Sequence, residues 1–161
     1  MSESIKLQNN LYWDQSSIKH DLIKVRSTQN LSSDAVGYMN VIYDVVDYNI
    51  GNSFALVGGV VKVLNNNIHH VKVTSVTWVE RGGESYAWIY NIKNGQNIGS
   101  YMLAECNNGS KWQSVTISSV CDVKKDDILG VTIYFNVGNN DNQTSGGNYY
   151  NSVYLIVEAI D

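Results

Sequence analysis

Two stretches of this sequence combine the residue types that bind sugars. Glu80, Arg81 and Glu84 surround a Gly82-Gly83 turn, with Trp78 before it and Tyr86 and Trp88 after it. An indole or phenol face packs against a pyranose ring while charged and amide groups bond its hydroxyls. The plainer reading of the same turn is a solvated hairpin end. The second stretch is Gly138–Tyr150, GNNDNQTSGGNYY, which is polar, glycine-rich and closed by two tyrosines. It is longer than a hairpin needs, and such loops in compact domains are either functional or disordered. The candidate ligand-binding set is therefore Trp78, Glu80, Arg81, Trp88, Asn142, Thr144, Tyr149 and Tyr150.

Other chemistry is poorly provided for. His69 and His70 are adjacent, so in a strand they point to opposite sides and cannot share an ion. His20 has no partner near it in sequence. Asp122, Asp126 and Asp127 are interleaved with Lys124 and Lys125, and lack the Asp-x-Asp-x-Asp-Gly spacing of a calcium loop. This cluster reads as a solvated corner. No nucleophile elbow, HExxH, phosphate-binding loop or dinucleotide fingerprint occurs. The sequence thus predicts a non-enzyme, with no catalytic residues, no metal and no cofactor.

The elements that position these residues are strands. Leu129, Val131, Ile133, Phe135 and Val137 occupy alternate positions, as do Val153, Leu155, Val157 and Ala159. Alternation of this kind marks a half-buried strand, and a helix would scatter the same residues around its circumference. These two runs are expected to be long antiparallel strands that close the domain. Between 111 and 135 the charged corner Asp122–Asp127 must stay in water while both flanking runs enter a core.

Earlier in the chain, Val36–Tyr48 reads as one strand that is apolar on both sides. Met39, Val41, Tyr43 and Val45 would face the core. Tyr38, Ile42, Val46 and Tyr48 would face a partner subunit, because a strand apolar on both faces is covered on both. Phe54–Leu64 reads as a further strand with a bulge or close approach at Gly58-Gly59. Ile68–Glu80 and Tyr86–Ile92 follow, and Asn94-Gly95 is a type I′ hairpin signal. About nine strands at sandwich-like spacing emerge, with no helix. Residues 1–34 are polar and too short for a core of their own, with SSIKHDLIKVRST as an amphipathic turn or extended connector. They form an N-terminal segment that leads into or docks on a body spanning 35–161.

Composition narrows the classes further. One domain suits 161 residues, and at this size a core is readily buried. Only 16% of residues are charged and the net charge is −4, which excludes a nucleic-acid footprint and leaves little repulsion between copies. Cys106 and Cys121 match no metal spacing and are expected as reduced thiols, with a cross-strand disulfide as the other possibility. The start, MSESIKLQNN, has neither a basic nor an apolar segment, so no signal peptide is expected. No apolar run reaches membrane-spanning length.

Two resemblances add to this reading. Ile89–Ile160 resembles the C-terminal half of C1q/TNF-like jelly rolls: a strand into Lys93-Asn94-Gly95, a strand near Ser118–Val120, an acidic corner at Lys125-Asp126, then two apolar strands. The corner here is Lys-Lys-Asp-Asp and lacks the usual glycine. The resemblance implies an all-β jelly-roll β-sandwich with a short N-terminal extension. Asn9, Asn10, Tyr12, Trp13, Asp14 and Ile18 resemble the opening of tail-fibre proteins of phages and prophages of low-GC Gram-positive bacteria. That family often carries a trimeric jelly-roll head. The resemblance implies a homotrimeric, non-catalytic receptor-binding head on a virion tail, made in the bacterial cytoplasm, recognising a host-surface saccharide and contacting other tail or baseplate proteins. The alternative is a C1q/TNF-like structural or protein-binding assembly module.

Overall fold

The computed structural model describes residues 20–32, 36–80, 86–105, 112–136, 143–145 and 153–160. These residues form thirteen strands and no helix. The strands are β1 (Leu22–Arg26), β2 (Asn30–Ser32), β3 (Gly37–Asn40), β4 (Val45–Ile50), β5 (Phe54–Val57), β6 (Val60–Val63) and β7 (His70–Glu80). They continue with β8 (Tyr86–Lys93), β9 (Gln96–Glu105), β10 (Trp112–Asp122), β11 (Ile128–Phe135), β12 (Gln143–Ser145) and β13 (Tyr154–Ala159).

They build two antiparallel sheets. The first runs β4-β1-β13-β7-β10, with β12 and β2 continuing past β13 along the far end of β7. The second runs β5-β6-β11-β8-β9, with β3 on the same edge of β11 as β6. The all-β sandwich that the jelly-roll resemblance implies is therefore observed.

The alternation also places the core correctly. Leu129, Val131, Ile133 and Phe135 of β11 are all at most 1% exposed, and Val153, Leu155, Val157 and Ala159 are buried opposite them in the other sheet. Each such aliphatic side chain taken out of water contributes about 1.5–3 kcal/mol. One polar group sits among them. Asn91 is fully buried; its amide accepts from the Ser75 hydroxyl at 2.6 Å and donates to Val73 O at 3.1 Å and Ser119 Oγ at 3.2 Å. Asn91 belongs to the second sheet and its three partners to the first, so the two sheets are bolted by a satisfied polar network.

Several expectations need correction. β11 and β13 do not pair; they lie in different sheets, because both have inward faces that can fill one core. Val36–Tyr48 is not one strand. It forms β3 in the second sheet, crosses through residues 41–44, and continues as β4 in the first. Val41 and Tyr43 are buried in that crossing, which explains its apolar character without a second covered face. The crossing is stapled at both ends, by Val41 N to Val131 O at 2.9 Å and Asp44 N to Arg26 O at 3.1 Å.

Phe54–Leu64 is likewise two strands, a hairpin whose turn is Gly58-Gly59 with φ of +59° and +87°. Two consecutive positive φ values define the type I′ turn. A Cβ on Gly59 would lie 2.9 Å from the Ile42 side chain, so this glycine also admits the crossing segment. SSIKHDLIKVRST is more than a connector or turn: Leu22–Arg26 is a strand inside the first sheet, between β13 and β4. Part of the long polar loop, Gln143–Ser145, is a strand paired with β7 and β2.

The charged corner is less solvated than expected. Asp127 is buried; its carboxylate accepts from Asn94 Nδ2 at 2.8 Å and from Lys124 N at 3.1 Å. Asn94 in turn accepts from Ile128 N at 2.9 Å. The Asn94-Gly95 hairpin, with φ of +51° and +78° as its type requires, is thus tied to the corner. A lone aspartate must pair when buried, and the turn asparagine supplies that partner.

Candidate functional site

The outward side chains of the second sheet form a lattice whose rows follow from the register. One row is Tyr38, Tyr134, Trp88 and Leu103. The next is Asn40, Thr132 and Tyr90. A third is Gly130, Ile92 and Asn97. Tyr38 and Tyr134 have ring centroids 4.9 Å apart, Tyr134 and Trp88 5.6 Å, and Trp88 and Tyr86 6.1 Å, all tilted. Tilted pairs at such distances are the favourable aromatic geometry. Opposite Tyr90 the register of β9 shifts, and Tyr101 stacks on Tyr90 at 5.7 Å. Bulges of this sort re-aim side chains.

The lattice is open to solvent. Tyr38 is 69% exposed and Tyr101 55%. Burial, together with the nearby phenols of Tyr38, Tyr101 and Tyr134, pushes the Tyr90 hydroxyl above its usual range. Tyr90 therefore stays neutral at physiological pH. Beside the aromatics lies a cleft of about 520 Å³ lined by Tyr38, Asn40, Ile92, Gly95, Gln96, Asn97 and Thr132. Its size falls within the usual range for ligand sites, about 300–1,000 Å³.

The residues singled out from the sequence are placed as follows. Trp88 is half-buried on the lattice. Trp78 is half-buried on β7 of the other sheet, so the two tryptophans flanking the Gly82-Gly83 turn do not belong to one sheet. Thr144 lies in β12 with its backbone opposite Val79, and Gln143 is opposite Glu80, so the long loop and the end of β7 are brought side by side. Arg81, Asn142, Tyr149 and Tyr150 lie outside the described residues.

Tyr38, Ile42, Val46 and Tyr48 are all exposed, but they do not share a strand face. Tyr38 is on the second sheet, Ile42 in the crossing, and Val46 and Tyr48 on β4, at the edge of the first sheet. Cys121 is a half-buried free thiol; burial pushes its pKa up, which makes it a poor nucleophile. Among the described residues no His, Cys, Asp or Glu cluster has the makings of a metal centre.

Asn40, Tyr90, Gln96, Asn97, Tyr101, Thr132 and Tyr134 did not stand out as site residues. Their signal was legible all the same: Trp88, Tyr90 and Tyr134 are large aromatics on the outward phase of two strands whose inward phase is already apolar.

No protein-family profile and no curated protein matches the sequence. The fold does match solved structures. Murine APRIL at pH 5.0 superposes with a TM-score of 0.64 at 13% identity, over 88% of this chain and 100% of that one. The murine APRIL structures at pH 8.5 and pH 8.0 superpose with TM-scores of 0.63. These are TNF-family jelly rolls, and the chain shares their fold.

Proposed function

We propose that this chain is a non-catalytic, C1q/TNF-like assembly module that binds protein and works as a homotrimer. The observation that carries the self-assembly is the apolar edge of the first sheet. Val46 is 44% exposed, Tyr48 43% and Ile50 37% on the edge strand β4, with Ile42 at 41% just before it. An open, apolar edge strand is a template for association, and soluble monomers usually blunt such edges. The jelly-roll match supports the module class, and the tail-fibre resemblance supports the number three. Because Tyr38 belongs to the other sheet, the interface is assigned to Ile42, Val46 and Tyr48 alone.

Sedimentation equilibrium of the full chain tests this. Three copies of the 17.9 kDa chain give about 54 kDa. Val46→Asp with Tyr48→Asp is expected to return the mass to that of one chain, whereas Tyr38→Asp leaves it unchanged. A single-chain mass for the unmodified protein at micromolar concentration overturns the proposal.

A second reading is favoured by the aromatic and amide surface of the second sheet: an adhesion head on a phage or prophage tail that recognises a host-surface saccharide. Its other support, the Asn9–Ile18 motif, lies outside the described residues. Binding of the full chain to purified cell-wall polysaccharide tests it, and absence of binding removes it.

A further inference from the structure

We propose that the cleft bounded by Tyr38, Asn40, Thr132 and the Gln96-Asn97 end of β9 binds a neutral, hydroxyl-rich saccharide. The inference goes beyond the assembly reading. It rests on the saccharide reading for its ligand class, and gives that reading a site on residues other than the Gly82-Gly83 turn and the long loop.

The first argument is charge. Among the described residues the cleft has no Lys, Arg, His, Asp or Glu in its lining. Two other clefts differ: one contains Asp21, and the other is lined by Lys93, Asp122, Lys124 and Asp127. An anionic ligand would meet no cation in the Tyr38 cleft, and a cationic one no carboxylate. The match is to an uncharged ligand.

Hydrogen bonding narrows this to a polyol. Most other asparagines among the described residues are already committed. Asn49 donates to Phe54 O, Asn65 to Ser53 Oγ, Asn91 to the core network and Asn94 to Asp127. The side chains of Asn40, Gln96 and Asn97 are exposed and make no hydrogen bond to another described residue. Each amide offers both a donor and an acceptor, and so does each sugar hydroxyl. Three uncommitted amides around one cleft therefore match a surface of vicinal hydroxyls. The exposed Tyr38 ring, held against Tyr134, provides the apolar wall on which the C–H face of a pyranose packs.

The third argument is preorganisation. Gln96 and Asn97 follow the Asn94-Gly95 turn directly, and Asn94 is locked by Ile128 N and by the buried Asp127 carboxylate. Asn40 is placed by pairing of β3 with β11, opposite Thr132. The amides are thus carried by fixed backbone, which lowers the ordering cost of binding.

Saturation-transfer NMR and calorimetry of the full chain with cellohexaose, chitohexaose and maltohexaose test the site, with hexagalacturonate as the charged counterpart. At least one neutral hexasaccharide is expected to bind, and hexagalacturonate is not. Asn40→Ala with Gln96→Ala should weaken the neutral ligand by at least about tenfold, the loss of roughly one net hydrogen bond or more. Both residues are exposed, so the melting temperature should hold. Asn52→Ala, at the cleft containing Asp21, should bind like the unmodified chain. Unchanged binding by the double variant overturns this site while leaving the saccharide reading standing. Absence of binding to every neutral hexasaccharide at millimolar concentration overturns both. Equal binding of hexagalacturonate overturns the charge argument and with it the assignment.

Discussion

The two outer faces of the sandwich use the same strand geometry for opposite chemistry. Across the first sheet one outward row reads Tyr48, Lys24, Ile156, Thr74 and Ser118. Its polar groups are engaged with each other. Lys24 and Arg26 reach Asp47 at 3.3 Å and 2.6 Å, Lys24 lies 4.7 Å from the Tyr154 ring centre, and Thr74 bonds Ser118 at 2.9 Å. Around Tyr38, Tyr134 and the start of β9 the second sheet presents neutral aromatics and amides instead, and its Lys62–Asp126 ion pair, at 2.8 Å, lies apart from them on β6. A face that satisfies itself has little left for a small polar ligand, while a face of exposed rings and uncommitted amides keeps its binding capacity in reserve. The apolar edge of the first sheet and the cleft on the second are therefore separate surfaces resting on one core.

The harshest way to break that comparison is through the core both faces share. Asn91→Leu leaves the Ser75 and Ser119 hydroxyls and Val73 O without their partner. The expected cost is about 3 kcal/mol in urea denaturation, since each orphaned buried group costs about 1–3 kcal/mol. A loss below about 1 kcal/mol would mean that the sheets are not bolted there.

Trp88→Ala sharpens the contrast next. Trp88 is half-buried and stacks on Tyr134 and Tyr86, so its removal should cost about 2 kcal/mol. A cost of about 3–5 kcal/mol would be that of a core tryptophan and would take Trp88 off the binding face.

The crossing between the faces is tested by pH. Burial raises the Asp44 pKa, but Thr28, through its hydroxyl and its N–H at 2.8 Å, outweighs this and leaves it lowered. A carboxyl with a lowered folded pKa stabilises above the unfolded value and loses that contribution as pH falls through the folded one. The unmodified chain should therefore lose melting temperature on acidification from about pH 5 to pH 3 more steeply than Asp44→Asn. Equal slopes would remove Asp44 from the pH response.

The smallest effect is expected at Tyr43, one residue earlier. It is fully buried and its hydroxyl has no partner among the described residues. Tyr43→Phe should be neutral or stabilising by up to about 1 kcal/mol, because it removes a buried, unpaired polar group. Destabilisation in thermal melts would show that the hydroxyl is bonded after all.

Much of the fold was legible, while the grouping of the site residues was not, for one reason. Alternation is a property of a single strand, so β11, β13 and the Asn94-Gly95 hairpin could be read from their own residues. Where the chain changes sheets, the apolar pattern continues unbroken, because the crossing residues Val41 and Tyr43 enter the same core as the strands beside them. Val36–Tyr48 therefore looked like one strand. Gly58-Gly59 looked like a bulge because both neighbours are apolar, though only a turn returns β6 alongside β5. The proposed binding face escaped for the same reason. The Tyr38-to-Asn40 pair, Thr132 and Gln96 come from three stretches distant in sequence, and are neighbours only through the pairing of β3, β11, β8 and β9.

By itself, then, the sequence determined the strand-rich class, the inward residues of its long strands and the turn at Asn94-Gly95. Each depends on interactions within a few residues: steric preference, alternation against water, and the tolerance of asparagine and glycine for positive φ. The tertiary structure alone decided which strands pair, that one apolar run serves two sheets, that Asp127 is buried against a turn asparagine, and which aromatics share a surface. These are contacts between residues far apart in the chain, where sequence spacing carries no distance information and only the closing of the two sheets on one core supplies it.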